Sequence, residues 1–361
     1  MDEDHAIWAL ANIKGIGLAR LKALIDRFGN ALTVFDQPME NLTKIDGIND
    51  RGARLILKPK DRDLIEKSFS NQQPENSKFV AISDPNYPER LKNLSDPPPY
   101  FYYRGDLSIL SNPCLAVVGS RKPTEYGERV TRGIVGELAA AGITIVSGLA
   151  YGIDSIAHQE TLRAGGKTAA VLGNSLETYY PPGNKNLAET ISRRGCIISE
   201  FPKGTKPEKF NFPVRNRVIS GLCEGVLVIE AREKSGALIT ADHALDQGRD
   251  VMAVPGNIDN AMSDGPNKLL RMGAIPVSSA KDIFENFKWH APSGDRSAPK
   301  EKPKLSGEEE IIYKHLSVKP VHLDELTRKA GLGPGKTAEV LLNLELKGII
   351  IRKPGNYLAL A

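Results

Sequence analysis

A chain of 361 residues can hold two or three domains, and 40% apolar with 25% charged residues marks a globular protein rather than a disordered or fibrous one. A formal net charge of +4 is too small to prove a nucleic-acid partner, but it allows a local basic surface. Cys114, Cys196 and Cys223 lack metal-ligand spacing and read as reduced thiols of a cytoplasmic protein; no apolar run is of membrane-spanning length, and MDEDHAIWAL lacks a signal-peptide core.

Residues 1–70 read as a small helical domain. Gly15-Ile16-Gly17 lies between two apolar-periodic segments, and Gly47-Ile48-Asn49 is a weaker echo. Helix, tight Gly-x-Gly turn, helix is the helix-hairpin-helix plan, whose turn amides can point at a DNA phosphate. Gly15 and Gly17 are therefore candidate auxiliary DNA contacts, against the alternative of a turn that only packs its helices. Asp46 and Asp50 count against the second copy. Residues 71–111 are rich in proline and aromatics. They read as a connecting segment packed on the core, with one short strand at PYFYYRG. Tyr100 to Tyr103 could stack on bases or glue this segment to the next domain.

Between 112 and 288, short apolar runs bounded by glycine alternate with helix-like runs. The pattern starts at CLAVVGS and continues through ITIVSGLA, KTAAVLG, CIISEF, VLVIEA, DVMAVPG and IPV. It predicts an α/β fold with a doubly wound, mostly parallel sheet, which binds ligands at the carboxyl ends of its strands. Residues 289–305 read as a flexible linker. Residues 306–361 predict three helices and a hairpin, a winged helix. Its last helix sets Glu339 and Glu345 against Lys336 and Lys347, which suits protein contact or stabilisation better than phosphate contact.

The predicted strand ends carry the candidate site. The first ends in Gly119-Ser120-Arg121, with arginine where a dinucleotide fingerprint needs its second glycine, and the next begins its turn with Ser147-Gly148. Several glycine turns feeding helix N-termini on one edge make an anion cradle. Lys203, Lys206, Lys209, Arg215 and Arg217 then fall within about 17 residues, interleaved with Phe201, Phe210 and Phe212 and opposed only by Glu208. Cations interleaved with aromatics suit single-stranded nucleic acid, with charge along the backbone and rings under the bases. Phe212 could equally be core, and Asn216 and Arg217 could equally pin the following helix.

VVGSR, SGLAYGIDSIAH, GGKTAAVLG, YPPGNKNL, FPVRNRVISGL, SGALITADHAL and AVPGN, in that order, resemble the DNA-processing protein A family (DprA, also called Smf). The likeness spans the central domain. The N-terminal region resembles the family's SAM-like domain, and the tail its winged helix. The resemblance implies an extended Rossmann-like, non-enzymatic protein without cofactor or metal. Such a protein binds single-stranded DNA, protects it and loads RecA in natural transformation, as a homodimer formed through the Rossmann-like domain. It places a phosphate grip on Arg121, a basic-aromatic contact on Lys206, Lys209 and Phe210, and a pocket segment on Ser235, Gly236 and Thr240. Asn174 and Asp242-His243 depart slightly from the family's usual text and would alter contacts only at the rim.

The rival readings are a nucleotide-processing enzyme of the phosphoribohydrolase-like Rossmann group, a nuclease, and a pure protein adaptor. The first lacks its PGGxGTxxE motif; Glu230 and Asp154 are acidic but form no evident acid–base pair. The second lacks a carboxylate cluster for a metal.

Overall fold

The computed structural model describes residues 1–58, 62–290, 305–316, 321–347, 349–353 and 355–360. Residues 291–304 of the predicted linker lie outside the described residues. The chain divides into two compact units, Met1–Pro292 and Ser293–Ala361.

In the first unit, nine strands of the described residues form one sheet. In chain order they are β1 (Lys78–Ala81), β2 (Tyr100–Gly105), β3 (Cys114–Val118), β4 (Thr144–Ser147), β5 (Thr168–Val171), β6 (Cys196–Ser199), β7 (Gly225–Val228), β8 (Asp250–Ala253) and β9 (Ile275–Pro276). Their spatial order is β1-β2-β6-β5-β4-β3-β7-β8-β9. From β6 to β9 the sheet is parallel; β2 joins β6 antiparallel, and β1 joins β2 antiparallel. The chain winds outward from β3 to β6 and then returns to place β7 on the other side of β3. That reversal opens a crevice at the carboxyl ends of β3 and β7.

Side-chain alternation along β3 builds both faces. Ala116 and Val118 meet Val218 and Ile219 of the helix Asn211–Gly221, and Ala237 and Ala241 of the helix Gly236–Asp246. Leu115 and Val117 meet Ile134 and Leu138 of the helix Glu125–Ala140, and Ala157 of the helix Ile153–Arg163. The near-continuous apolar character of β3, β4 and β5 follows from burial on both faces.

Two of the strands come from the 71–111 segment. β2 falls where PYFYYRG predicted a strand, and β1 is an addition to the sequence reading. Tyr100, Phe101 and Tyr102 are buried, so these rings are not available to bases. Phe101 packs beneath the sheet, whereas Tyr100 and Tyr102 face the N-terminal helices. Trp8 Nε1 donates to Tyr102 Oη at 3.0 Å, and Asn12 Nδ2 donates to Tyr100 Oη at 2.8 Å. The N-terminal helices thus share an apolar core with the sheet rather than forming a separate bead.

Both hairpin turns have the same build. Gly15 and Gly47 adopt φ of +94° and +74°, which a side chain resists, and Ile16 and Ile48 are buried. Gly17 caps Leu18–Phe28, and Asn49 caps Asp50–Leu57 by accepting from Gly52 N at 3.0 Å. The carbonyls of Gly17 and Asn49 each accept the first bond of their helix, from Leu21 N and Ala53 N, and Asn49 adds a side-chain cap that Gly17 lacks.

The second unit has the helices Gly307–Lys314, Leu323–Ala330 and Pro334–Leu346. Its strands β10 (Val321–His322), β11 (Ile350–Lys353) and β12 (Tyr357–Leu360) lie in the order β10-β12-β11, a winged helix. Lys336 lies 3.2 Å from both Glu308 and Glu339, and Lys347 lies 2.7 Å from Glu309. Cations of the last helix and its end are thus neutralised within the domain.

Candidate nucleic-acid interface

The crevice between β3 and β7 opens into a pocket of about 220 Å³ lined by Gly119, Arg121, Asp154, Phe212, Arg215 and Asn216 and by the first turn of Gly236–Asp246. Ser235 caps that helix, accepting from Ala237 N at 3.3 Å, so its first-turn amides and positive dipole end face the pocket. Ser235, Gly236 and Thr240 all line it.

The turn after β3 is held from below. Ser120 N donates to Glu230 O at 2.6 Å, and Ile153 N donates to Ser120 O at 3.1 Å. A Cβ on Gly119 would lie 2.7 Å from Ile153 Cγ1 and 2.9 Å from Glu230 O, so only glycine lets these elements meet. Glu230 is buried; its carboxylate accepts from Thr124 N at 2.8 Å and Thr124 Oγ1 at 2.5 Å, at the start of Glu125–Ala140. It therefore anchors the far end of the turn. Arg121 is the exposed product of this scaffold, with its guanidinium 5.8 Å from the centroid of the Phe212 ring. Tyr180 adds a second ring 5.7 Å from Phe212, forming an aromatic floor beside the cation.

The predicted cations separate into two groups. Lys206, Lys209 and Phe210 stand exposed on the loop before Asn211–Gly221, Phe210 at 67%. Arg215 and Arg217 are turned inward. The Arg215 guanidinium donates to Gly148 O at 2.8 Å, to Val171 O and to Asn216 Oδ1 at 3.0 Å. Burial lowers its pKa to about 10. Arg217 is tied to the Glu200 carboxylate and donates to Asp96 O at 2.6 Å. Lys203 is held by Glu75 at 3.0 Å and Glu177 at 3.6 Å. Arg215 thus meets the pocket as part of its wall, while Arg217 and Lys203 hold the loop in place.

Ser147 and Gly148 lie below the rim. Ser147 is fully buried and donates to Val117 O at 2.7 Å. Gly148 N donates to Asp154 at 3.1 Å, and a Cβ there would meet the Arg215 guanidinium at 2.7 Å. Asn216 Nδ2 donates to Gly236 O at 3.2 Å, joining the two helices that wall the pocket. Gly15 and Gly17 sit in the N-terminal hairpin turn and do not line this pocket.

The titratable groups nearby are committed to structure. Asp154 accepts from Gly148 N and, at 3.4 Å, from Ala150 N; burial raises its pKa, and the Arg215 charge opposes that rise. His158 is buried and its pKa is lowered to about 3 by desolvation, so the ring is neutral at pH 7. Thr168 Oγ1 gives its proton to Ile145 O, so the 2.6 Å contact from His158 Nδ1 requires that nitrogen to donate. Tyr180 is the site residue that the sequence reading left out; a tyrosine pair before PPGN was the available signal.

Comparison with known proteins fits this geometry. The profile for DNA recombination-mediator protein A matches residues 78–288, and that for the DprA winged helix domain matches 296–356. Protein Smf of Synechocystis is 33% identical over 98% of this chain and 98% of its own length. The X-ray structure of DNA processing protein A from Streptococcus pneumoniae superposes with a TM-score of 0.70 at 34% identity, covering 80% of this chain and 99% of that one. DNA processing protein A from Helicobacter pylori, solved for its single-stranded DNA binding mode, gives a TM-score of 0.54 at 31% identity over 59% of this chain and 98% of its own. With more than half its length matched by one profile and a full-length relative at this identity, the chain belongs to the DNA recombination-mediator protein A family.

Proposed function

We propose that this protein binds single-stranded DNA across the carboxyl edge of its sheet and acts as a recombination mediator, protecting incoming strands and passing them to RecA in natural transformation. The observation that carries the reading is Arg121. It is exposed over the Phe212 ring at a pocket lined by helix N-terminal amides, with Lys206, Lys209 and Phe210 exposed on the neighbouring loop. Phosphate takes the cations and amides; bases take the rings. The single-stranded DNA binding of the Helicobacter relative supports the same assignment. Ser120 and Gly119 shape the phosphate turn, Ser235, Gly236 and Thr240 form its opposite wall, and Ser147, Gly148, Arg215, Asn216 and Arg217 hold the frame.

The protein works as a cytoplasmic homodimer formed through the Rossmann-like domain, and without turnover. Buried free thiols support the compartment. The absence of turnover is supported by Glu230 and Asp154, whose hydrogen bonds go to backbone and capping groups. Among the described residues no helix is long and apolar enough to cross a membrane.

Fluorescence anisotropy of a labelled single strand, titrated at several salt concentrations with a duplex competitor, tests the reading. Wild type should bind with strong salt dependence, and Arg121→Glu should lose most affinity. Binding indifferent to Arg121, or steady release of base or phosphate from nucleotides by the pure protein, would overturn it.

A further inference from the structure

A second cavity opens on the same carboxyl edge, on the other side of the β3 turn. It measures about 460 Å³ and is lined by Tyr126, Pro255, Gly256, Asn257, Asn260 and Ser263. Tyr126 belongs to the helix that starts after the Arg121 turn, and Pro255 follows β8. β8 stands two places from β3, so the cavity lies roughly 10 Å along the edge from the Arg121 turn. The first pocket is walled by the helices on one face of the sheet; Tyr126 belongs to the opposite face.

Several features make this cavity a prepared platform. The Tyr126 ring is 36% exposed, yet its hydroxyl donates to Pro255 O at 2.8 Å, which fixes the ring's orientation. The Arg129 guanidinium lies 5.8 Å from the ring centroid. The facing loop is also fixed. Asn267 holds Gly256 through its N, at 3.3 Å, and its O, at 3.0 Å, and Ala231 N donates to Met262 O at 2.8 Å. Asn257 Oδ1 accepts from Asp259 N and Asn260 Oδ1 from Met262 N, which ties both side chains to the loop through their oxygens. At the loop apex, Ile258 is 86% exposed, an unfavourable place for a branched apolar side chain unless something covers it.

We propose that this cavity is a second base-stacking subsite, into which a single strand passes after crossing the sheet edge from the Arg121 pocket. The inference rests on the single-stranded DNA reading above and extends it. A base lies on Tyr126 in this cavity, and the Asn257 and Asn260 amides donate to its edge or to the adjoining phosphate. Glu125 and Glu128 on the helix and Asp259 on the loop make this flank less cationic than the first. Stacking rather than counterion release dominates here, and that gives the subsite its own signature.

The test uses the full chain and labelled oligothymidylates of about 2 and about 20 nucleotides; the short one is too short to span the roughly 10 Å between the two sites, and the long one exceeds a usual single-strand footprint. Tyr126→Ala should weaken binding of the long oligonucleotide about tenfold, the effect of losing one stacked base, with the salt slope unchanged. The short one should bind as to wild type, which also shows the variant folded. Tyr126→Phe should keep most of the long-strand affinity. A long strand carrying 5-iodouracil should photocrosslink to Tyr126. Wild-type affinity of Tyr126→Ala for the long strand, with no adduct at Tyr126, would overturn the second subsite while leaving the first in place, provided that Arg121→Glu still weakens both lengths. Failure of wild type to bind either length would overturn both readings.

Discussion

Replacing Arg215 by methionine separates a cation that builds the site from one that serves it. The Arg215 guanidinium is buried, donates to Gly148 O, Val171 O and Asn216 Oδ1, and is the main charge opposing the rise in the Asp154 pKa. Removing it strands buried carbonyls and an uncompensated carboxylate, a loss of about 3–5 kcal/mol. Methionine fills much of the volume, so the loss is electrostatic rather than a cavity term. The deficit should depend on pH. Burial already raises the Asp154 pKa in the folded state, and without Arg215 it rises further. A carboxyl whose folded pKa lies above its unfolded one adds stability that is complete below the unfolded value, near about 3.9, and is lost as pH rises through the folded value. The Arg215→Met deficit should therefore shrink as pH falls from about 8 to about 5, and Asp154→Asn in the same chain should recover part of it. Urea unfolding followed by far-ultraviolet circular dichroism measures both. A variant as stable as wild type but unable to bind DNA would refute the reasoning and return Arg215 to the ligand contacts.

Three further outcomes follow from the same geometry. Lys206→Ala and Lys209→Ala should each lower the salt slope of single-strand binding by roughly 0.7, whereas Phe210→Ala should cost about 1–3 kcal/mol of binding at unchanged slope; identical behaviour of all three in anisotropy titrations would contradict the division into phosphate and base contacts. Trp8→Phe breaks the buried bond to Tyr102 Oη and should cost about 1–2 kcal/mol in urea unfolding, with single-strand affinity retained. Burial pushes the Glu200 pKa up to about 7, and its Oε1 has no partner while Oε2 takes Arg217. Wild type should therefore lose stability relative to Glu200→Gln as pH rises from about 4.5 to about 7, and parallel stability–pH curves would contradict the shift.

Periodicity and glycine punctuation are enough to read β3 to β8, because a strand buried in the sheet is an apolar run that stops where the chain must turn. β1 escaped that reading. Only four residues long, it is a strand because Tyr100 to Tyr103 pair with it across an intervening proline-rich segment, and such pairing leaves no local period. The site was legible by residue type but not by role. Arg121, Arg215 and Arg217 are indistinguishable as letters, and their fates depend on which carbonyls and carboxylates the fold brings beside them. The presence of Glu200 and Asp96 near Arg217, and of Gly148 O near Arg215, is a fact of tertiary structure alone. The second hairpin turn, a weaker echo by sequence, has the same build as the first, because asparagine is among the best helix caps.

The shared core of the N-terminal helices and the sheet bears on how this chain can be divided. A fragment begun at residue 78, where the family profile starts, would keep all the strands of the described residues. It would also bring Phe79, Tyr100 and Tyr102 into water, with Ala170 and Ile197 behind them, and leave the Tyr100 and Tyr102 hydroxyls without Asn12 and Trp8. Such a face is adhesive, next to a sheet edge made by the short strand β1. A recombination domain excised there would report its own self-association. A cut at the division between the two compact units, after Pro292, leaves the helical cap in place.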